Sequence, residues 1–262
     1  MDVLLAVTML LLGGIGSFFS GLLGIGGAII NYPMLLFVPP ALGAAHFSAQ
    51  EVSSMSMIQV FFSSLAGILA YRKRQRSGMS LIHKGLVLYM GSSILVGSLL
   101  GGLSSKSIPS PTINIIYGIL AVIAVILMFI PQKGNEVLDK EIQFNKWVAI
   151  STAFTVGVVS GIVGAGGAFI LIPIMLTVLK IPMRTTIASS IMIVFISAIG
   201  GVIGKVSGGH IPIVPTLFLI IGSVIGAPIG SKVSSKINVK VLRYCLVILI
   251  AVTAVKIWSS VL

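Results

Sequence analysis

Ser20-Gly-Leu-Leu-Gly-Ile-Gly-Gly-Ala-Ile-Ile-Asn-Tyr-Pro33 occurs twice in this chain, returning as Ser160-Gly-Ile-Val-Gly-Ala-Gly-Gly-Ala-Phe-Ile-Leu-Ile-Pro173. At a fixed offset of 140, residues 20–37 and 160–177 agree at 9 of 18 positions, most of them glycines and a proline, which shared hydrophobicity alone does not produce. The chain is an internal duplication.

Each copy of the stretch sits in the middle of an apolar run too long for one membrane crossing. Apolar segments fall at about 3–38, 49–70, 81–103, 112–131, 147–179, 185–204, 211–231 and 242–260. Six are close to the roughly 20 residues that cross a bilayer once. The other two, 3–38 and 147–179, read as two helical arms with a glycine break between them, either fully spanning or stopping inside the membrane. Composition agrees: 56% hydrophobic and 8% charged residues, against about 25% charged in a soluble domain. The fold class expected is an all-α polytopic membrane protein.

The net charge of +12 comes from 17 Lys+Arg against 5 Asp+Glu. In a soluble protein that balance would suggest nucleic acid; here it marks cytoplasmic loops, and no nucleic-acid partner is expected. Placing Tyr71-Arg-Lys-Arg-Gln-Arg76 inside, with each glycine hairpin leaving on the side it entered, puts 14 basic residues in the cytoplasm and only Lys106, Lys205 and Lys256 outside. Counting each hairpin as a single pass gives the poorer division of 10 and 7. Both termini are then extracytoplasmic, in a cell (inner) membrane protein. Each half crosses an odd number of times, so the halves are two inverted repeats, each a broken-helix hairpin followed by three transmembrane helices. Residues 1–131 form the first repeat, 132–146 a polar cytoplasmic linker and 147–262 the second. The first 20 residues lack a basic stretch ahead of the apolar run and are not read as a signal peptide.

Candidate chemistry follows from the breaks. Glycines at Gly24, Gly26, Gly27, Gly164, Gly166 and Gly167 let the chain turn and leave N–H groups uncovered. A helix starting after them aims free N–H groups and a positive dipole end at the tip, a place for an anion that needs no buried lysine. Ala28 and Ala168 line the same turns. The alternative is that these glycines only permit close helix packing, which is the reading for Gly97, Gly101, Gly222, Gly226 and Gly230. After each hairpin comes a Ser-rich helix start, with Ser53, Ser54, Ser189 and Ser190 placed to cap the helix or to donate to a substrate oxygen. Gln59 is a polar residue deeper on the first of these helices. Glu51, at the edge of its apolar segment, is either a coupling carboxylate or an interfacial residue facing water. Cys245 is the only cysteine, and His46, His83 and His210 are scattered, so no metal site, cofactor or catalytic set is expected and an enzyme is disfavoured.

The doubled G-x-x-G-x-G-G-A-x-x-x-x-P hairpins, each followed by V-S-S-M or A-S-S-I, resemble the TauE/SafE family of sulfite and organosulfonate exporters and permeases. That family's pattern is a G-x-G-G-G-hydrophobic-Pro hairpin and then an A-T-S-L helix, and the resemblance covers essentially the whole chain. Here Ala28 and Ala168 replace the third glycine, Ser53 and Ser189 stand where Thr is usual, and Glu51 is outside the pattern. The resemblance implies a secondary transporter for a small anion (sulfite, thiosulfate or a short organosulfonate) working by alternating access. Its substrate would lie between the two GxGG tips, bound by their backbone N–H groups and the serine hydroxyls. Drive would come from the substrate gradient or a coupling ion, H+ or Na+; assembly as a homo-oligomer is compatible with this. An anion channel and a non-transporting membrane partner protein are the alternatives.

Overall fold

The computed structural model describes residues 3–24, 28–74, 82–129, 144–209, 211–234 and 236–261. The polar linker, apart from Phe144, Asn145 and Lys146, lies outside them, as do Gly26, Gly27 and the side chains of Ala28 and Ala168. Ten α-helices occur among the described residues. The first half holds α1 (Val3–Leu23), α2 (Ala28–Ala41), α3 (Ala49–Arg74), α4 (Lys84–Ser104) and α5 (Ser110–Phe129). The second holds α6 (Lys146–Val163), α7 (Ala168–Thr177), α8 (Met183–Val206), α9 (Ile213–Ser234) and α10 (Val239–Val261). Seven of these are long and apolar enough to cross a membrane, and their outer faces carry exposed Leu, Ile and Val side chains such as Leu11, Ile126 and Ile225. The protein is an all-α polytopic membrane protein.

Both long apolar runs break at their glycines. In the second, Gly164 closes α6 in the left-handed conformation (φ 78°), its N–H returning to the Ser160 carbonyl at 2.8 Å, and Gly167 (φ 77°) opens α7. In the first, Gly24 (φ 70°) ends α1 the same way, its N–H on the Ser20 carbonyl at 2.9 Å. An L side chain at these angles is strained, which is why glycine stands there. The two arms of each hairpin are unequal. With 21 and 18 residues, α1 and α6 extend about 27–32 Å, whereas the 14 and 10 residues of α2 and α7 reach only about 15–21 Å. The first arms are therefore long enough to cross a membrane, and the return arms are not. Pro33 and Pro173 lie inside the return arms, where each removes a backbone donor.

Close contacts fix the relative directions of α1, α3, α4, α6, α8 and α9. Gly222 packs at Leu10 and Gly14 and Gly230 at Phe18 and Leu22, so α1 and α9 run parallel. Gly97 meets Phe154 and Val158, and Gly101 meets Val158 and Ile162, so α4 and α6 run parallel too. At each of these glycines a Cβ would overlap the facing backbone; here the packing role expected of small residues is what the structure has. Gly91 sits at Ile196 and Gly204 at Leu103, aligning α8 with α4. Between α3 and α8 the order reverses: Met57 lies at Gly201, Phe61 stacks on Phe195 with centroids 5.3 Å apart, and Gly67 meets Ile191. Thus α1, α3 and α9 point one way and α4, α6 and α8 the other. Corresponding helices of the two halves (α1 and α6, α3 and α8, α4 and α9) point in opposite directions. The packing partners also exchange between halves, α1 with α9 mirroring α6 with α4, and α2 with α10 mirroring α7 with α5.

Candidate functional site

Each glycine tip docks on the serine-rich helix of the other half. At Gly164 a Cβ would overlap the Ser53 backbone, and the Ser53 hydroxyl donates to the Ile162 carbonyl at 2.9 Å. At Gly24 a Cβ would fall 2.7 Å from the Ile187 carbonyl, and the Ser190 hydroxyl donates to the Gly24 carbonyl at 2.9 Å. The end of α6 leaves carbonyls without intrahelical donors, and Ser53 supplies one. Ser53 and Ser190 thus latch the tips through their backbone carbonyls. Ser54 turns back to the Gln50 carbonyl at 2.9 Å, and the Ser189 Oγ accepts from the His83 N–H at 3.1 Å.

The tips do not meet. One lies at the level of Ser53, early in α3, and the other at Ile187 and Ser190, early in the antiparallel α8. Counting along α3 from Ser53 to Gly67, which faces Ile191, the helix ends at Gly164 and Gly24 stand roughly 20 Å apart at 1.5 Å per residue. The reason is the length of α1 and α6: a full-length first arm carries its tip to the far end of the bundle instead of stopping halfway. Among the described site residues, Gly24 pairs with Ser190 and Gly164 with Ser53, while Gly166 turns inward against Val60 (the neighbour of Gln59 in α3) and Val194, and Gly167 lies against Ser160, Val156 and Ile94.

Two polar residues that sequence reasoning passed over sit in this frame. Lys205, counted as external because it follows the apolar run 185–204, belongs to the last turn of α8 and is 3% exposed. Its Nζ donates to the Ile162 carbonyl at 2.7 Å, the same oxygen that Ser53 serves. The second tip, expected to need no buried lysine, has one beside its first arm, favourably placed at a helix C-terminus. It is the one charged side chain in the buried class among the described residues. Asn31, in the return arm α2, is 1% exposed and shares the centre of the bundle with Gln59. The signal for it was available: in the aligned repeat it falls on Leu171.

Glu51 has a local task. Its Oε2 accepts from the Ser48 N–H at 2.8 Å and the Ser48 hydroxyl at 3.0 Å, while the Glu51 N–H donates to Ser48 Oγ at 3.3 Å. That is a reciprocal capping box at the start of α3. No group of three or more His, Cys, Asp or Glu that would hold a metal occurs among the described residues.

Seven apolar helices of spanning length and a glycine-broken hairpin in each half make a multi-pass membrane bundle. The chain belongs to the sulfite exporter TauE/SafE family, whose model matches residues 9–257, and it is a membrane transporter. It is 26% identical over 238 residues to the probable membrane transporter protein YunE of Bacillus subtilis (strain 168), covering 84% of each chain. It is 27% identical over 229 residues to the probable membrane transporter protein YdhB of the same organism, covering 84% of this chain and 85% of that one. The probable membrane transporter protein MJ0441 of Methanocaldococcus jannaschii is 25% identical over 201 residues, with 76% of this chain and 72% of that one covered. No solved structure matches.

Proposed function

We propose that this protein is a secondary transporter that carries a small anion, of the sulfite, thiosulfate or short organosulfonate kind, across the cytoplasmic membrane by alternating access. The observation that carries the reading is the opposed pair of latched tips. Each docks at one end of the bundle, one held by the Ser190 hydroxyl and the other by the Ser53 hydroxyl and the Lys205 ammonium, and the polar atoms of the centre lie between them. Two inverted repeats, 1–131 and 147–262 around the linker 132–146, are supported by the opposite directions of corresponding helices and by the exchange of packing partners. Gly24, Gly26, Gly27, Ala28, Gly164, Gly166, Gly167 and Ala168 are the gates in this reading, and Ser53 and Ser190 their latches. Opening one latch at a time exposes the centre to one side at a time. Lys205, the buried charge, gives the interior the sign that favours an anion. The Arg-rich segment 72–76 begins in the last turn of α3, and in this reading the Ser190 gate is on the cytoplasmic side and the Ser53 gate, with both termini, outside. The family's sulfite exporters are what suggests a sulfur oxyanion as cargo.

The test is counterflow of labelled sulfite and thiosulfate in proteoliposomes. A transporter accumulates label transiently against an unlabelled internal pool and saturates with concentration. A channel would only equilibrate the label, and a non-transporting partner protein would move none.

A further inference from the structure

Near the midpoint between the tips, three buried amide atoms have no partner. They are Oδ1 and Nδ2 of Asn31, and Oε1 of the fully buried Gln59. The other end of the Gln59 amide reaches the Gly13 carbonyl at 3.3 Å and the Ser17 Oγ at 3.4 Å, long for N–H···O bonds. Gly16 makes the space: a Cβ there would overlap Asn31 Oδ1 and stand 3.2 Å from Gln59 Nε2. Polar groups left unmatched inside a bilayer are costly.

The second half shows that the architecture does not require them. At the offsets that align the repeats, 140 for the hairpins and 136 for the following helices, Gly16, Asn31 and Gln59 fall on Val156, Leu171 and Phe195. There the same place is filled with apolar side chains, Val156 and Leu171 being buried. The first half keeps two carboxamides, with a glycine under one of them, where packing alone is satisfied by hydrocarbon.

We infer that Asn31 and Gln59, with Ser17, hold a small oxyanion that still carries a hydrogen of its own. The inference rests on the transport reading and names the side chains that touch the cargo. Asn31 Nδ2, Gln59 Nε2 and the Ser17 hydroxyl donate to the ligand's oxygens, and the unmatched Oδ1 and Oε1 accept its hydrogen. A fully deprotonated dianion offers those two oxygens nothing and is disfavoured. The sign of the charge follows from the surroundings. Lys205 is the one buried charge among the described residues, and Glu51, the one carboxylate among them, is held in its capping box. A cation would thus meet no compensating charge. Neither amide titrates, so the pair does not hold a free proton.

The full-length purified protein is tested by calorimetric titration and thermal shift with sulfite, at a mildly acid pH where it is largely hydrogensulfite, with sulfate at the same pH, and with sodium chloride against choline chloride. Sulfite binds and sulfate binds at least about tenfold more weakly. Asn31→Leu and Gln59→Leu, which copy the second half's character, weaken sulfite binding by roughly tenfold or more while the ligand-free Tm stays equal or rises. Should either leucine variant fail to fold, Asn31→Ser and Gln59→Asn, which shorten the amides but keep polarity, give the same loss of affinity. Unchanged affinity in these variants overturns the inference, as does a shift produced by sodium alone or the absence of oxyanion binding to the parent protein. Counterflow decides the transport reading separately: flux that survives with normal affinity in the variants leaves the transporter standing and removes only this site.

Discussion

The two ends of the molecule are built from the same repeat and are not equally firm. At one end Gly164 lies directly against the Ser53 backbone, and the Ile162 carbonyl receives both the Ser53 hydroxyl and the Lys205 ammonium. At the other, Gly24 approaches Ile187 less closely, and one hydroxyl, that of Ser190, serves its carbonyl while also reaching the Ile187 carbonyl at 3.1 Å. The position matching Lys205 at offset 136 is Leu69, which is exposed. A duplication supplies the frame twice; single substitutions then make one gate tighter than the other. The difference teaches that the halves are interchangeable in topology but not in energetics, which is what a transporter with a preferred resting state requires.

The comparison breaks hardest at the glycines. Gly164→Ala sets a side chain at positive φ into a fixed backbone carbonyl and is expected to cost about 3 kcal/mol or more. Gly24→Ala, with the looser contact, is expected to cost about 1–2 kcal/mol. Thermal unfolding of the two variants in detergent reads the gap, and equal losses would mean the two ends are equally firm. Next, Lys205→Met removes the second donor from the tighter gate. Stability is expected to move by only about 1 kcal/mol, because a buried charge is lost together with its hydrogen bond, while anion flux in proteoliposomes falls about tenfold. A Lys205→Met protein with parental flux would show that the lysine only caps α6. The smallest effect is Glu51→Gln, which weakens the Ser48 capping box by about 0.5–1 kcal/mol and leaves flux unchanged. Flux abolished in a protein of near-parental Tm would restore Glu51 as a coupling group.

Much of the frame was legible from the doubled stretch. The breaks at Gly24 and Gly164 follow from glycines that tolerate left-handed backbone amid otherwise uninterrupted apolar residues, and the even parity of each hairpin was read from the distribution of Lys and Arg. The depth of the tips was not legible, because parity is blind to how far a helix reaches, and only the packing of Gly97 on α6 and Gly230 on α1 shows that the first arms run full length. Serines at a helix start were read as substrate donors or as caps; Ser53 and Ser190 instead serve carbonyls of the opposite half, a contact between residues 109 and 166 positions apart. Lys205 was hidden by its position one residue beyond an apolar run, where a loop and a helix end look alike. Asn31 stood in the quoted stretch itself, and only its alignment with Leu171 marks it as an exception.

The interlocking of the halves also governs how the protein is made. Helix α1, made well before α9, packs most extensively on that helix, whose last residue is Ser234. Until then its glycine face, Gly13, Gly14 and Gly21, has only lipid or earlier helices to rest on. Assembly in the membrane is therefore dominated by contacts far apart in sequence, which close late and slowly. The mirror pair, α4 with α6, closes once α5 and the linker have been made, so the second half's entry helix is seated long before the first half's is.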